Sequence, residues 1–159
     1  MIPVKTLNHA VLYVRDAQRS SAFYQQALDF EVVGEMGRSA VFLRASRSDN
    51  HHDLALFSVG SDAPGPQHGG VGLYHLAWEV ATIDDLVDAR VRLLEMGALV
   101  GESDHGVSKS LYAKDVDGIE FEVLWSVPRE EWGEYEHNAV SQPLDLAAEQ
   151  ARFGSRAAR

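Results

Sequence analysis

The sequence predicts an α+β fold built from two tandem βαβββ modules. A strand, a helix and three further strands are expected twice in succession. The octets LNHAVLYV (residues 7–14) and LYHLAWEV (residues 73–80) open the two copies, and each has histidine third and valine eighth. His9 and His75 set a repeat of about 66 residues, which is too long for a solenoid.

The first module is expected over about residues 5–60. Residues 7–14 have the apolar and β-branched character of a strand, and Asp16 then opens a helix over residues 17–28, AQRSSAFYQQAL. Gly37-Arg38 and the polar run SRSDNHH separate the remaining apolar runs. Three short strands are therefore predicted, namely FEVVGEM, SAVFLRA and DLALFSV.

The second module is expected over about residues 71–126, after the Gly- and Pro-rich linker SDAPGPQHGGVG. Its first strand is LYHLAWEV. Its helix covers residues 83–97, IDDLVDARVRLLEMG, and Thr82 and Asp85 have the spacing of a capping box. The remaining strands are predicted at ALVGE, SKSLYAKD and IEFEVLW.

Composition limits the partners of the protein. Its 159 residues, 45% of them apolar, suit one domain over residues 1–126 with an extension at 127–159. A net charge of −10 without a basic cluster argues against nucleic acid or an anionic membrane as the partner. The charge therefore favours a small-molecule ligand. The chain has no cysteine, so a metal would need His, Asp or Glu ligands. The N-terminus does not resemble a signal peptide and no apolar run reaches membrane-spanning length, which predicts a cytoplasmic protein.

Strand alternation places polar side chains opposite the apolar faces of two predicted strands. His75 lies opposite the face formed by Tyr74, Leu76, Trp78 and Val80, and Glu120 and Glu122 lie opposite Ile119, Phe121, Val123 and Trp125. A single strand histidine such as His9 is more often a core or surface residue than a ligand. Its repetition at His75, with Glu122 nearby, favours a site for divalent iron or manganese held by two imidazoles and one carboxylate.

Three segments resemble the vicinal oxygen chelate superfamily, namely LNHAVLYVRDAQRSSAFYQQALDFEVV, LYHLAWEV and SLYAKDVDGIEFEV. That superfamily includes glyoxalase I, fosfomycin resistance enzymes, bleomycin-binding proteins and extradiol ring-cleavage dioxygenases. The resemblance covers about residues 5–126. It implies that the paired modules form an open, cup-shaped mixed sheet around a metal, with His9, His75 and Glu122 as the metal ligands.

Within that superfamily, the stretch DHGVSKSLYAKDVDGIEFEVLW resembles the extradiol dioxygenase signature. The order and spacing of six residues carry this resemblance: His105, Leu111, Tyr112, Asp115, Gly118 and Glu122. It implies that His105 and Tyr112 hydrogen-bond the substrate oxygens. Val116 stands where the signature has proline, which questions the rigidity of the turn. Read singly, His105 would be a surface loop residue and Tyr112 a residue packed at a sheet edge.

The segment FLRASRSDNHHDLALF resembles the part of those dioxygenases in which the second of two adjacent histidines acts in catalysis. The resemblance assigns that role to His52. A histidine titrates near neutral pH, which suits proton transfer to or from a diol. The alternative is that His51 and His52 are a polar loop pair facing solvent.

These residues favour an extradiol dioxygenase that uses Fe(II), or alternatively Mn(II), to add both atoms of O₂ to a catechol-like aromatic diol. The second hypothesis is a metal-dependent isomerase or thiol transferase of the same superfamily, of the glyoxalase or fosfomycin-resistance type. The third is a drug-binding protein without catalysis. The extension carries no evident chemistry: PLDLAAEQARF is expected to form a helix after Pro143, and residues 155–159 are expected to be frayed. It could pack against a second copy in a homodimer.

Overall fold

The computed structural model describes residues 2–155 and confirms the α+β class. The chain forms two compact units, the first ending at Pro66 and the second beginning at Gln67. Each unit contains one four-stranded mixed sheet, which agrees with two tandem βαβββ modules. None of the helices described within residues 2–155 combines the length and the apolar character that a membrane span requires.

Unit 1 pairs its first strand with its last. Strand β1 runs parallel to β4, and β3 runs antiparallel to both β4 and β2, in the order β1-β4-β3-β2. The buried core includes Val41, Leu43 and Leu56. The elements are β1 (Ala10–Val14), α1 (Ala17–Leu28), β2 (Glu31–Met36), β3 (Ala40–Arg44) and β4 (Leu54–Ser58).

Helix α1 occupies the range that the sequence predicts. The Asp16 carboxylate accepts hydrogen bonds from the N–H groups of Gln18 and Arg19, which would otherwise lack partners at the start of the helix. The helix buries Phe23 and Tyr24 and packs on β3 and β4. Apolar burial on one face and a capped first turn are therefore sufficient to define this element.

Unit 2 repeats the topology of unit 1. Its strand order is β5-β8-β7-β6, with β5 parallel to β8 and the other pairs antiparallel. The Thr82 hydroxyl accepts from the Asp85 N–H, and the Asp85 carboxylate accepts from the Thr82 N–H, which confirms the capping box. The elements are β5 (Leu76–Glu79), α2 (Ile83–Glu95), β6 (Leu99–Asp104), β7 (Ser108–Lys114) and β8 (Glu120–Ser126).

Both repeated histidines lie one residue before a strand rather than within it. His9 precedes β1 and His75 precedes β5, although the sequence predicts strands over 7–14 and 73–80. In unit 1 the reason is the partner strand: pairing begins with Ala10 opposite Leu54, and Leu54 is the first residue of β4. Residues 7–9 therefore have no strand beside them in this ladder.

The C-terminal extension packs on its own unit. It contains short 3-10 helices at Arg129–Glu131 and Gly133–Glu136, and then α3 (Leu146–Phe153), which confirms the helix expected after Pro143. The Gln150 amide donates to Asp84 of α2 at 2.8 Å, and the Phe153 ring lies 5.2 Å from that of Trp125. Of the residues expected to be frayed, 156–159 lie outside the described part of the chain.

Candidate metal and substrate site

Glu122 is buried beside a histidine in unit 2. Its neighbours Phe121 and Val123 point into the core, so the alternation of β8 turns Glu122 to the opposite face of the sheet. There its Oε2 lies 3.1 Å from Nε2 of His75, and only 7% of the glutamate remains exposed. A carboxylate taken out of water needs such a partner, which explains why glutamate is tolerated in an apolar run.

The geometry of the His75–Glu122 pair suits a divalent metal. Two ligand atoms about 2.1 Å from a metal and at right angles lie about 3.0 Å apart, close to the observed separation. Nδ1 of His75 is buried and has no hydrogen-bond partner among residues 2–155. The polar interactions of this imidazole are therefore incomplete. On the other side of the ring, the His75 imidazole and the Glu122 carboxylate form a donor set that Fe(II) and Mn(II) accept.

The remaining predicted ligand, His9, belongs to unit 1. Within the described residues, no three His, Asp or Glu side chains are brought together as a metal-binding group. Unit 2 supplies two of the three predicted ligands by itself. The complete set of His9, His75 and Glu122 stays a prediction.

Tyr112 and His105 stand next to this pair. Tyr112 lies directly opposite Glu122 in the β7–β8 ladder, and its hydroxyl is 2.8 Å from Nε2 of His105. Burial, the charge of Glu122 and further contributions from Tyr74 and Glu120 raise the pKa of Tyr112 to about 12. The phenol therefore stays protonated near neutral pH and can donate one hydrogen bond.

The C-terminal extension determines which nitrogen of His105 carries the proton. Nδ1 of His105 lies 2.8 Å from the carbonyl oxygen of Val140, which can only accept. Nδ1 must therefore donate, and in the neutral ring Nε2 accepts from the hydroxyl of Tyr112. A cleft of about 470 Å³ opens beside His105, lined by Val107 and residues 135–140.

The turn between β7 and β8 is well ordered by hydrogen bonds despite the absence of proline. The Asp115 carboxylate accepts from the N–H groups of Asp117 and Ile119, both at 2.9 Å. Gly118 has φ +86°, a value that glycine adopts without strain. Val116 in the place of proline is therefore compatible with a defined turn.

Unit 1 brings together the other two predicted site residues. The rings of His9 and His52 are 4.6 Å apart, and Phe42 meets His52 edge-on at 5.2 Å. Burial, followed by the proximity of His9 and His51, lowers the pKa of His52 against a smaller opposing effect of Asp53. His52 is consequently uncharged near neutral pH, as a proton acceptor must be. His51 is exposed, with its Nδ1 3.1 Å from Nδ1 of His52.

Several residues that shape the site were not found from the sequence. Asn8, Asn50 and Asp53 form hydrogen bonds around His9 and around the loop that carries His52. Asn50 and Asp53 flank the histidine pair within a polar run, and that position was the only available signal. Val140 acts through its backbone carbonyl, which leaves no signature in the choice of side chain.

Comparison with known proteins identifies the family. Residues 6–123 match the Glyoxalase/Bleomycin resistance protein/Dioxygenase superfamily. A catechol-2,3-dioxygenase of Bacillus subtilis (strain 168) is 32% identical over 127 residues, covering 79% of this chain and 43% of that protein. Biphenyl-2,3-diol 1,2-dioxygenase 3 of Rhodococcus globerulus is 32% identical over 135 residues, covering 82% of this chain and 70% of its own length.

A solved structure supports the same fold. The fosfomycin resistance protein FosX of Listeria monocytogenes, in a complex with Mn(II) and sulfate, aligns with a TM-score of 0.63 at 19% identity. The alignment covers 85% of this chain and 99% of FosX. The chain spans less than half of the Bacillus relative, so the agreement concerns the part that the two proteins share. Sequence and fold together show that this chain belongs to the glyoxalase/bleomycin resistance protein/dioxygenase superfamily.

Proposed function

We propose that the chain is an extradiol dioxygenase, which inserts both atoms of O₂ into a catechol-like aromatic diol at one Fe(II). His9, His75 and Glu122 are the proposed metal ligands. One observation carries the proposal: Tyr112 joins the buried His75–Glu122 pair to His105 on one face of unit 2. The dioxygenase names of the two relatives support the same reaction.

The site residues have separate tasks in this proposal. Tyr112 and His105 bind and orient the diol together in this proposal. Nε2 of His105 accepts the phenol proton, which leaves the Tyr112 oxygen to accept a hydrogen bond from a diol hydroxyl. His52, uncharged near neutral pH, accepts a proton from the diol and returns it later. Bound Fe(II) would supply Lewis acidity toward the diol and the redox capacity that O₂ requires. Mn(II) is the alternative metal.

The proposal also includes the wider expectations from the sequence. Residues 1–126 would act as one domain, and the protein would work in the cytoplasm on a small diol and O₂. Association into a homodimer belongs to the same proposal. Size-exclusion chromatography with light scattering measures the oligomeric state of the full chain directly.

Oxygen uptake by iron-loaded protein tests the reaction class. The protein is loaded with Fe(II) without air and mixed with a panel of small catechols, and oxygen is then admitted. We expect about one O₂ consumed for each diol and a product that absorbs visible light, as the conjugated hydroxy-dienoate from cleavage beside the diol does. The control is His68→Ala, which changes an exposed histidine of the linker and should leave turnover unaltered.

Two results would contradict the dioxygenase proposal. Isomerisation of a thiohemiacetal or opening of an epoxide with Mn(II) or Ni(II), without oxygen uptake, would establish the isomerase or transferase alternative. Tight binding of an aromatic compound by the metal-free protein, with no turnover under any condition, would establish the binding-protein alternative.

A further inference from the structure

We propose that Asp53, Asn50 and Asn8 form a hydrogen-bonded relay that holds His9 with its proton on Nδ1 and leaves Nε2 free. The relay deepens the proposed function. Only the last step of the argument, metal binding by Nε2 of His9, rests on that function. All four residues belong to unit 1. They are positioning residues, apart from His9 itself.

The relay begins at a buried carboxylate. Asp53 is 9% exposed, and its side chain accepts hydrogen bonds from the Ala45 N–H at 2.9 Å and the Ser48 hydroxyl at 2.7 Å. Its backbone is also anchored, because its N–H donates to the Leu43 carbonyl at 2.8 Å and its carbonyl accepts from the Ala10 N–H at 2.9 Å. Asp53 is therefore a fixed acceptor at the start of β4.

Asp53 determines the orientation of the Asn50 amide. Nδ2 of Asn50 donates one hydrogen to Oδ1 of Asp53 at 2.8 Å and the other to the backbone carbonyl of Asn8 at 2.9 Å. The reversed amide would place its oxygen against two acceptors at these distances. Two independent acceptors thus exclude the flipped form, and Oδ1 of Asn50 must face Asn8.

The orientation then passes to Asn8 and His9. Oδ1 of Asn50 accepts from Nδ2 of Asn8 at 3.2 Å, so the Asn8 amide presents its oxygen on the other side. That oxygen lies 2.8 Å from Nδ1 of His9. Since the amide oxygen carries no hydrogen, Nδ1 of His9 must donate. A neutral imidazole has a single N–H, and Nε2 therefore keeps its lone pair.

This assignment matters because a metal ligand needs a free lone pair in a fixed direction. Histidines that bind metals usually donate their second ring N–H to a carbonyl or carboxylate, which sets both tautomer and ring orientation. Here the oxygen of a neutral amide takes that position, and the amide is directed by a carboxylate two hydrogen bonds further away. The relay prepares His9 before any metal arrives.

Nitrogen-15 spectroscopy of metal-free protein tests the relay without any activity measurement. Long-range proton–nitrogen correlations at pH 8, where an ordinary imidazole is neutral, distinguish the Nδ1–H from the Nε2–H tautomer. His9 is assigned by the signals lost in His9→Ala. We expect the Nδ1–H form in the wild-type protein, whereas free histidine favours Nε2–H.

Paired variants separate the relay from a general effect on the loop. Asn50→Ala removes both donors and the acceptor and should shift His9 toward the Nε2–H form. Asp49→Ala changes the exposed neighbour of Asn50 and should leave the tautomer unchanged. If Asn50→Ala does not fold, Asn8→Ala, at an exposed position, gives the same comparison. Asn8→Asp is its conservative control, because it keeps an oxygen against Nδ1 of His9.

Metal titration of the same proteins gives the second measurement. Loss of a group that orients a ligand typically weakens metal binding by about 10- to 100-fold, so Asn50→Ala should bind Fe(II) that much more weakly than Asp49→Ala. An Nε2–H tautomer in the wild type, or an unchanged Nδ1–H tautomer in Asn50→Ala, would overturn the relay. An Nδ1–H wild type that binds no divalent metal would support the relay and contradict the proposed dioxygenase.

Discussion

Two adjacent histidines of unit 1 occupy different environments, and this difference predicts different effects of their removal. The ring of His52 is half-buried against His9 and Phe42, whereas His51 is exposed. His52→Ala should keep its iron and lose about 10²- to 10⁴-fold in turnover, as expected for a proton-transfer residue. His51→Ala should be much milder. Steady-state turnover, normalised to iron content, compares the two variants. If His51→Ala lost most of its turnover and His52→Ala kept nearly all of it, the proton-transfer role would belong to His51.

Asp53 should make unit 1 sensitive to acid. Burial alone would raise the pKa of Asp53, but hydrogen bonds from Asn50, Ala45 and Ser48 outweigh burial and lower it below 3.8. A carboxyl with a depressed folded-state pKa stabilises the fold above its unfolded value, and this stabilisation is lost as the pH falls through the folded value.

The matched variant is Asp53→Asn. It should destabilise the protein by about 1–3 kcal/mol at pH 7, because the buried donors lose a charged acceptor. The stability difference from wild type should shrink as the pH falls below about 3.8. Urea denaturation at a series of pH values measures it, and a difference that does not change with pH would show that Asp53 acts through packing instead of charge.

At the scale of elements, the sequence predicts best what local interactions determine. Helix α1 was predicted at its observed bounds because Asp16 caps it and its apolar residues repeat with helical spacing. The starts of β1 and β5 were predicted three residues too early. For β1 the reason is that its partner strand begins only at Leu54, opposite Ala10.

The candidate site was predictable only in part for a similar reason. His75 and Glu122 were predicted from strand alternation and Tyr112 from the resemblance to the dioxygenase signature, and the structure brings the three together. The bond between Asn8 and Asn50 joins residues far apart in the chain, and the Val140 carbonyl reaches His105 from an extension with no recognisable motif. Long-range hydrogen bonds, whether between two side chains or to a backbone carbonyl, depend on the completed fold.

The extension should affect turnover through His105. Gln142 forms a two-way backbone bridge with Asp104, with both hydrogen bonds at 2.9 Å, and so holds the neighbouring Val140 carbonyl against His105. Gln142→Pro removes the N–H of this bridge, whereas Gln142→Ala keeps it and changes only an exposed side chain. Gln142→Pro should therefore lower turnover several-fold with its iron intact, and Gln142→Ala should not.

Two further measurements complete this experiment. The nitrogen spectrum of His105 in metal-free protein should show Nδ1–H in Gln142→Ala and a mixture of tautomers in Gln142→Pro. Gly106 gives a second variant: it has φ +75°, and a Cβ there would clash with the Tyr135 ring of the extension. Gly106→Ala should therefore produce the same change, and equal spectra in all variants would show that the extension does not orient His105.

At the scale of the whole molecule, the duplication is unequal in its chemistry. Val11 and Ala77 are equivalent, because each lies two residues after the repeated histidine of its unit. Val11 pairs with Ala55 and Ala77 pairs with Glu122, so Ala55 of unit 1 occupies the place of the glutamate of unit 2. Phe42 pairs with Ala55 as Tyr112 pairs with Glu122, so phenylalanine replaces the tyrosine. Each unit keeps its histidine before the first strand, and within residues 2–155 the ion pair of such a histidine with a carboxylate occurs in unit 2 alone.

This asymmetry predicts one metal per chain and a common effect of removing any proposed ligand. His9→Ala, His75→Ala and Glu122→Ala should each reduce bound Fe(II) from one per chain to near zero, because an incomplete ligand set binds weakly. Metal that binds only the folded state at 100 times its Kd adds about 2.7 kcal/mol, roughly 5 to 10 °C in Tm for a chain of this size. We therefore expect this thermal shift in the wild type and in His68→Ala, and none in the three ligand variants. Metal analysis and calorimetry of all five proteins measure both quantities. Undiminished iron in one of the three ligand variants would remove the substituted residue from the ligand set.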